Sequence, residues 1–465
     1  MRIAPQIIVD LVPVPERGDL PYADVLGGML QAFFRPGAVR RLLEDFNAKM
    51  KVPLLRPEAV ERGGYLVQEE VLFPKSQSWW VYFQDEQERL STNLDDEAVP
   101  VVAEFLRLAA HAEDLQQVRE AWPFDEDAWV ERLVTASPSK LRWPEPDAPG
   151  IYRREHASVL IRSRTTSILV DPISLQRRMQ HMHHVPGPLR SEAVDAAAVT
   201  HSHVDHWHIP SLLAHLARPE TPVIVPRVPR PNLLTYQDFE AALRTCGQAV
   251  KAPAWGETVR VGDIEVDILP FYGEQPTRDG PPLREGLRSW GNCYRFQTED
   301  FSCVLLVDTG ADPDGAMSEV LAESCRRRGP VDVVLCCQRE FDSPFFGGLH
   351  HYWAALPWER LLELYHDYQQ RRLKSTTAGV EGAVELCAAG KARYFLPYAN
   401  GFEGVGKPIT DIGWGLGEPS EANRNALMRE LLGRQGLATQ VLDWNPGDVA
   451  RLARGGLTIS RMAEP

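Results

Sequence analysis

The chain has 465 residues and a net charge of −14, with 44% hydrophobic and 25% charged residues. This length exceeds one ordinary core and predicts two domains, or one domain enlarged by insertions. The acidic balance disfavours nucleic acid as the main partner, because a polyanion needs a concentrated basic surface. No membrane-spanning run and no secretory signal are predicted. Seven cysteines without a CxxC pair are typical of reduced thiols. We therefore expect a cytoplasmic globular protein.

Residues 1–140 are predicted to form an α+β domain without a chemical motif. Apolar residues at helical spacing and short runs with strand composition alternate in this part of the chain. We expect the domain to shape substrate access or to form a homodimer. The predicted strands are 7–12, 64–66 and 79–83, and the predicted helices are 22–34 and 99–110.

A stretch rich in proline, 137–150, predicts a domain junction. After it, short apolar strands with β-branched residues alternate with helices through 141–465, which favours sheets covered by helices. The strands are predicted at 157–161, 167–170, 197–199, 223–225, 258–261, 264–269, 292–296, 303–307 and 331–336. The helices are predicted at 209–216, 238–245, 315–327, 359–370 and 421–432.

The segment AVTHSHVDHWHIP holds the most informative motif, with His201, His203, Asp205 and His206 inside six residues. Imidazole and carboxylate suit divalent first-row metals, and so compact a set demands a sharp loop at a strand end. The first two histidines can then face one metal and the Asp-His pair a second. A solvated histidine-rich turn is the alternative.

This motif resembles the signature of the metallo-β-lactamase superfamily, and its flanks agree. Glu155-His156-Ala157 and Asp171-Pro172 stand where a lactonase-like subgroup of that family has a similar strand and Asp-Pro pair. The resemblance covers roughly residues 150–400. It implies an αββα sandwich that binds two metal ions at one rim of its sheets, with an additional N-terminal α+β domain here.

The resemblance also implies further ligands. Asp308 ends a very apolar strand and is similar to the family's bridging aspartate, although a strand-end aspartate that caps a turn is the alternative. The family's last ligand corresponds to His351, which an aromatic residue follows. The neighbouring His350 is the other candidate for this position.

One ligand departs from the family pattern. Most members have a histidine after the strand that follows the motif, but no histidine occurs here between His215 and His350. Glu274 is the natural substitute, and a solvated turn residue with water closing the first metal is the alternative. A carboxylate favours iron or manganese over zinc. The resulting ligand set is similar to that of a dinuclear-iron β-hydroxylase with this fold.

Several other residues are candidates for contacts to substrate or to the metal ligands. Each also has a purely structural interpretation, as a solvated loop, a helix start, a buried core histidine or an ordinary turn. They are His156, His181, His183, His184, His208, Tyr398 and Asn400, with His350 if His351 binds the metal.

Two function classes follow. The first is a diiron oxygenase that hydroxylates or oxidises a small-molecule, peptide or carrier-bound substrate with an external electron donor, because the chain has no flavin or nicotinamide fingerprint. The second is a lactonase, amidase or phosphodiesterase with zinc or manganese, in which Asp205 or a nearby histidine shuttles protons and Asp308 bridges the metals. The carboxylate at position 274 favours the first class.

Overall fold

The computed structural model describes most of the chain. The described residues are 2–4, 7–15, 28, 35–50, 52–74, 77–112, 114–125, 128–135, 146–175, 194–216, 218–340, 351–401, 420–453 and 456–460. The loop histidines 181, 183 and 184, His350, and nearly all of the helix predicted at 22–34 lie outside them. For His351 the backbone is described and the side chain is not.

The N-terminal part of the chain is α+β, as predicted. Its strands are β1 (Arg2–Ile3), β2 (Ile8–Pro15), β3 (Gln77–Gln84), β4 (Arg89–Leu94) and β5 (Val134–Thr135). Its described helices are α1 (Pro36–Lys49), α2 (Ala59–Arg62), α3 (Glu69–Leu72), α4 (Ala98–His111), α5 (Leu115–Glu120) and α6 (Ala128–Leu133). Strands β2, β3 and β4 form an antiparallel sheet, and β1 pairs with β5.

The remaining residues alternate strands and helices. The strands are β6 (Gly150–Arg153), β7 (Val159–Arg162), β8 (Ser167–Val170), β9 (Ala196–Ala198), β10 (Val223–Ile224), β11 (Val250–Lys251), β12 (Thr258–Val261), β13 (Ile264–Leu269), β14 (Cys293–Gln297), β15 (Ser302–Leu306), β16 (Ala311–Asp312), β17 (Gly315–Ala316), β18 (Val333–Cys336), β19 (Tyr394–Pro397), β20 (Gln440–Val441), β21 (Val449–Ala453) and β22 (Gly456–Ser460). The helices are α7 (Ile209–His215), α8 (Phe239–Thr245), α9 (Met317–Arg328), α10 (His351–Ala354), α11 (Trp358–Gln369), α12 (Gly379–Gly390) and α13 (Glu421–Arg434).

Two large sheets organise this part of the molecule. The first has the order β11-β10-β9-β8-β7-β6-β21-β22, and the second has the order β12-β13-β14-β15-β18-β19-β20. Strands β8 and β9 are parallel, as are β15, β18 and β19. Strand β13 is antiparallel to β14, which is antiparallel to β15, so β13 also runs in the direction of β15.

The two sheets pack face to face, and the period-two alternation of their side chains explains the layers. In β8, Ile168 and Val170 lie in the core shared with the second sheet, whereas Leu169 faces the opposite side. That opposite side is covered by α7 and α8 and by α4 from the N-terminal part. Helices α9, α12 and α13 contribute to the core of the second sheet. The fold is therefore an α/β sandwich with helices on both faces.

The N-terminal part shares its core with the sandwich. Residues of β2, β3 and α4 belong to the same buried apolar cluster as Leu160, Leu169 and Leu212. A second cluster joins buried residues from positions 39–73 to Tyr352, Trp353 and Trp358. The described residues before position 136 thus pack against two sides of the sandwich.

Some elements differ from the sequence-based expectation. Residues 64–66 form no strand; the chain makes only isolated bridges at Leu55–Val67 and Tyr65–Pro357. The positive φ of Gly63 and Gly64 turns the chain there. The C-terminal hairpin β21–β22, which we did not predict, extends the first sheet by pairing with β6. No helix among the described residues combines the length and hydropathy that a membrane crossing needs.

Candidate metal centre

Polar residues that the sequence analysis predicts as metal ligands lie at one edge of the sandwich. The carboxyl ends of β8 and β9 meet there in the first sheet, and those of β13 and β15 meet there in the second. Parallel strands place the residues that follow them at a common edge. Asp171, His201, Glu274 and Asp308 therefore converge from four different strands.

A close backbone contact fixes the loop after β9. The amide of Asn292 donates to the carbonyl of Thr200 at 2.7 Å, and His201 forms an isolated bridge with Gly291. A Cβ atom at Gly291 would lie 2.7 Å from Cγ of Phe271 and 2.9 Å from the oxygen of Thr200. Glycine is required at this position because only its missing side chain lets the two sheets approach here.

His201, His203 and Glu274 form the first donor set. Nε2 of His201 lies 3.1 Å from Oε2 of Glu274, and Nδ1 of His203 lies 3.0 Å from Oε1. The two ring nitrogens are 3.1 Å apart. One ligand atom from each residue thus lies within 4.8 Å of the others, so the three could hold one metal ion.

His156, Asp205 and His206 form the second donor set. Oδ2 of Asp205 lies 3.1 Å from Nε2 of His156 and 4.0 Å from Nε2 of His206. Their ligand atoms also lie within 4.8 Å of one another. Asp205 and His206 come together as the motif predicts, and His156 joins them from the turn between β6 and β7.

Asp308 lies between the two donor sets. Its Oδ2 is 3.1 Å from Nε2 of His206 and 3.9 Å from Nε2 of His201, so it contacts one histidine of each set. The loop that carries it is tied to the Glu274 loop, because the amide of Gly310 donates to the carbonyl of Tyr272 at 2.9 Å. A carboxylate in this position could bridge two cations.

The backbone at this edge is strained. Seven described residues other than glycine have a positive φ, and four of them belong to this centre: His156 (49°), Asp171 (42°), Glu274 (45°) and Asp308 (38°). L-residues rarely adopt this conformation, and it persists where the surroundings impose it, often at functional sites. The strained backbone and the potential metal ligands therefore lie at the same edge of the sandwich.

Protonation of the histidines depends on their neighbours. Burial holds the pKa of His201 well below its usual range, so this imidazole is neutral. Burial also lowers the pKa of His206, but Asp205 and other carboxylates outweigh it and raise the pKa well above its usual range. Burial likewise opposes a rise at His203, yet Glu274 raises the pKa of that ring. A bound cation would displace these protons.

Two buried polar atoms indicate that the site fits a metal ion. Nε2 of His206 and Oε2 of Glu274 are buried, and neither makes a well-oriented hydrogen bond within the described part of the chain, although they lie 3.1 Å from atoms of Asp308 and His201, respectively. Polar atoms that are buried without a well-formed hydrogen bond are costly, and a metal ion held between these donors would satisfy both atoms. Ligand atoms about 2.1 Å from a common ion would lie about 3.0 to 3.4 Å apart. The separations in the first set, 3.0 to 3.1 Å, and the 3.1 Å between His156 and Asp205 are close to this range, whereas the 4.0 Å between Asp205 and His206 is wider.

Two neighbouring residues were missed as site residues by the sequence reasoning. Asp171 accepts hydrogen bonds from the amide and hydroxyl of Thr200 at 2.8 and 2.7 Å, and Nδ1 of His206 lies 2.9 Å from Oδ2 of Asp171. The hydroxyl of Tyr352 lies 2.8 Å from Nε2 of His203. Asp171 was recognised only as a family marker, and Tyr352 only as the residue after His351.

The other candidates are placed differently. His208 caps α7 by accepting from the amide of Ser211, and its Nε2 lies 3.0 Å from the carbonyl of Val9, so its contacts connect α7 to the N-terminal part of the chain. Tyr398 is buried near Asp171 and Asp308, and its hydroxyl has no hydrogen-bond partner among the described residues. Asn400 instead joins Gln338 and Glu421.

Comparison with known proteins agrees with this fold. Residues 166–397 match the family described as the beta-lactamase superfamily domain. Through this domain the chain belongs to the beta-lactamase superfamily, and its sandwich is the metallo-β-lactamase fold. The resemblance seen in the sequence is therefore confirmed. None of the curated protein sequences compared with the chain matches it.

Among solved structures, the chain is similar over its whole length to CmlA, a diiron β-hydroxylase from Streptomyces venezuelae, with 15% identity, a TM-score of 0.55 and 99% of each chain covered. A point mutant of the CmlA β-hydroxylase gives 17% identity and a TM-score of 0.56, with 95% of this chain and 98% of that chain covered. An isothiocyanate hydrolase from Delia radicum gut bacteria shares 12% identity, a TM-score of 0.40, and coverage of 65% of this chain and 99% of its own.

Proposed function

We propose that the protein is a dinuclear metal enzyme, and specifically a diiron oxygenase that hydroxylates or oxidises an organic substrate. The observation that carries the proposal is the position of Glu274, whose two carboxylate oxygens each lie near a different histidine of the first donor set. A metal bound there would have one anionic oxygen ligand where the superfamily usually supplies an imidazole.

The proposed ligands follow from the two sets. His201, His203 and Glu274 would hold the first metal, Asp205 and His206 the second, and Asp308 both. The assignment of His351 to the second metal stays a prediction. A bound iron pair would supply oxygen activation for a hydroxylation in which one atom of O₂ enters the substrate and the other leaves as water, with two electrons from an external donor and two protons from solvent.

The chain itself contributes charge, orientation and exclusion of water. Three carboxylates, Asp205, Glu274 and Asp308, would offset the charge of an oxidised metal pair, which favours iron and manganese over zinc. The side chains of His201, His206 and Asp308 are at most 8% exposed, so these donors are screened from bulk water. His203 and Asp205 are 13% and 16% exposed at their side chains. We infer that substrate approaches from their side.

The full-length similarity to a diiron β-hydroxylase supports the same proposal, because it includes the N-terminal part of the chain. We propose that residues 1–140 shape substrate access. Buried residues from positions 39–73 pack with Tyr352, and Tyr352 contacts His203. The N-terminal residues therefore support the side of the centre that holds the first donor set.

Hydrolysis is the second candidate, and one observation favours it. The side chain of Asp205 is the most exposed of the carboxylates in the centre, at 16% against 4% for Glu274 and 8% for Asp308. A partly exposed carboxylate beside a metal-bound water could exchange a proton with solvent, as a metallo-hydrolase requires. In that case zinc or manganese would replace iron.

The test separates the two reactions by the origin of the product oxygen. The chain is purified from iron-supplemented cells, its metal content is measured, and its near-ultraviolet spectrum is recorded. The reduced protein is then given isotopically labelled O₂ and a panel of amino acids, free and as carrier-protein thioesters. We expect two iron ions per chain and label in the product. Turnover of a zinc-loaded protein without O₂, with product oxygen from water, would overturn the oxygenase and support the hydrolase.

A further inference from the structure

We propose that His156 is a direct ligand of the second metal ion. This inference rests on the proposed two-metal centre and goes beyond it, because the ligands assigned above leave this histidine out. The carrying observation is that Nε2 of His156 lies 3.1 Å from Oδ2 of Asp205, within a group that also includes His206.

The position of His156 in the chain fits this role. It lies in a tight turn between β6 and β7, where the amide of Ser158 donates to the carbonyl of Glu155 and the amide of Arg154 donates to the carbonyl of Ser158, each at 2.9 Å. The turn brings the ring to the same edge as the central motif, and the residue is 3% exposed. His156 therefore reaches the centre from a separate segment of the chain.

His156 has the same left-handed backbone conformation as the proposed ligands Glu274 and Asp308. Its φ of 49° is close to the 45° of Glu274 and the 38° of Asp308. Glycine would adopt this conformation without strain, but a glycine would bring no side chain to Asp205. The retention of an imidazole on strained backbone is expected where the side chain has a specific task.

The donors on the second side leave room for this ligand. Among the side chains that the structure describes, the first donor set gives its metal three donors besides Asp308, whereas Asp205 and His206 give the second metal two. His156 adds a third described donor on that side, and His351 would add a fourth if it also binds the second metal. The ring centroids of His156 and His206 lie 5.0 Å apart, and one ring nitrogen of each lies within 4.8 Å of the other and of Asp205.

The alternative is that His156 only orients Asp205 through a hydrogen bond, and two variants separate these roles. His156→Asn keeps a hydrogen-bond donor and tolerates the left-handed conformation, but an amide is a poor metal ligand. His156→Gly relieves the backbone strain and leaves space for free imidazole. Both variants of the full chain are titrated with Zn²⁺ and with Fe²⁺ under anaerobic conditions, and bound metal per chain is counted.

We expect the wild-type protein to bind two ions and both variants to bind one at concentrations that saturate the wild type. Removal of a metal-orienting neighbour typically weakens binding by about 10- to 100-fold, and we expect a larger loss here. Free imidazole should restore the second ion in His156→Gly. X-ray absorption of the His156→Asn protein, recorded at a metal concentration high enough to fill both sites, should count fewer imidazoles per metal than in the wild type.

Two ions bound to His156→Asn with wild-type affinity and an unchanged imidazole count would overturn the inference. That result would leave the proposed reaction intact, because the oxygen-labelling experiment on the wild-type protein does not depend on it. Label from water in the wild-type product would refute the oxygenase and leave the metal count of the variants unaffected.

Discussion

The two donor sets share Asp308 but have different surroundings. Around the first set the neighbours are aromatic: Phe271 stacks on His201 with ring centroids 5.1 Å apart, and Tyr352 contacts His203. Behind the second set lies a buried polar network, in which Asp171 accepts from Thr200 and lies 2.9 Å from the ring of His206. The first set therefore has aromatic neighbours, one of which is within hydrogen-bond distance of His203, whereas a buried carboxylate supports the second set. The hydroxyl of Thr200 lies 3.0 Å from Nδ1 of His201 and so connects the polar network to the first set as well.

The carboxylates on the two sides, Glu274 and Asp171, would therefore act on the metals in different ways. Glu274 belongs to the first donor set itself, so its charge would act directly on the metal. Asp171 lies behind a histidine of the second set, so its charge would act through the ring. Such an outer carboxylate fixes the orientation of a ligand and increases its basicity. The two sides should therefore respond differently when a carboxylate is removed.

The largest effect is expected from Glu274→Gln. The amide keeps the shape and the strained backbone of Glu274 but loses the charge and most of the ligand strength. We expect one metal per chain instead of two and loss of turnover, with an unchanged far-ultraviolet circular dichroism spectrum. Metal analysis after gel filtration measures the stoichiometry.

Glu285→Gln is the matched control, because Glu285 is exposed in the same loop. It should keep both metals and full activity. If Glu274→Gln also retained two metals and wild-type activity, Glu274 would have to be removed from the first donor set.

The centre also shows which part of a site a sequence can predict. His201, His203, Asp205 and His206 were found because they lie together in the chain, and a local pattern identifies such a motif. Glu274 and Asp308 required the additional expectation that residues after neighbouring parallel strands meet at one edge. The structure brings these six residues together.

The contacts that were missed depend on tertiary structure. The role of Asp171 is visible only when β8 lies beside β9, which brings its carboxylate to Thr200 and His206. Tyr352 reaches His203 from a segment 149 positions away. Similarly, the hairpin β21–β22 belongs to the first sheet because β21 pairs with β6. A local sequence pattern does not predict this pairing.

An intermediate effect is expected from Asp171→Asn. The amide tolerates the positive φ of 42° and still accepts from the amide of Thr200, so the fold should remain. It presents no anionic oxygen to His206, and the ring loses its fixed orientation. We expect the second metal to bind about 10- to 100-fold more weakly, with the first metal little affected.

Competition with a chelator of known affinity measures the two binding constants separately. Equal weakening of both metals would contradict the comparison, because it would mean that Asp171 supports the whole edge rather than one donor set.

The smallest effect is expected from Tyr352→Phe. The ring stays, so the packing with Trp353 and the residues from positions 39–73 is preserved. Only the hydroxyl 2.8 Å from Nε2 of His203 is lost. A hydrogen bond of this kind contributes about 1 kcal/mol, which corresponds to roughly a fivefold change in affinity. We expect the first metal to bind a few-fold more weakly and the second to be unchanged.

Tyr398→Phe is the control for this variant. Tyr398 is also buried near the centre, but its hydroxyl makes no hydrogen bond with the described residues, so its removal should leave both affinities unchanged. The contrast between the two tyrosines tests whether the hydroxyl of Tyr352 positions His203 specifically. Equal affinities in Tyr352→Phe and Tyr398→Phe would mean that the aromatic side of the centre acts through packing alone.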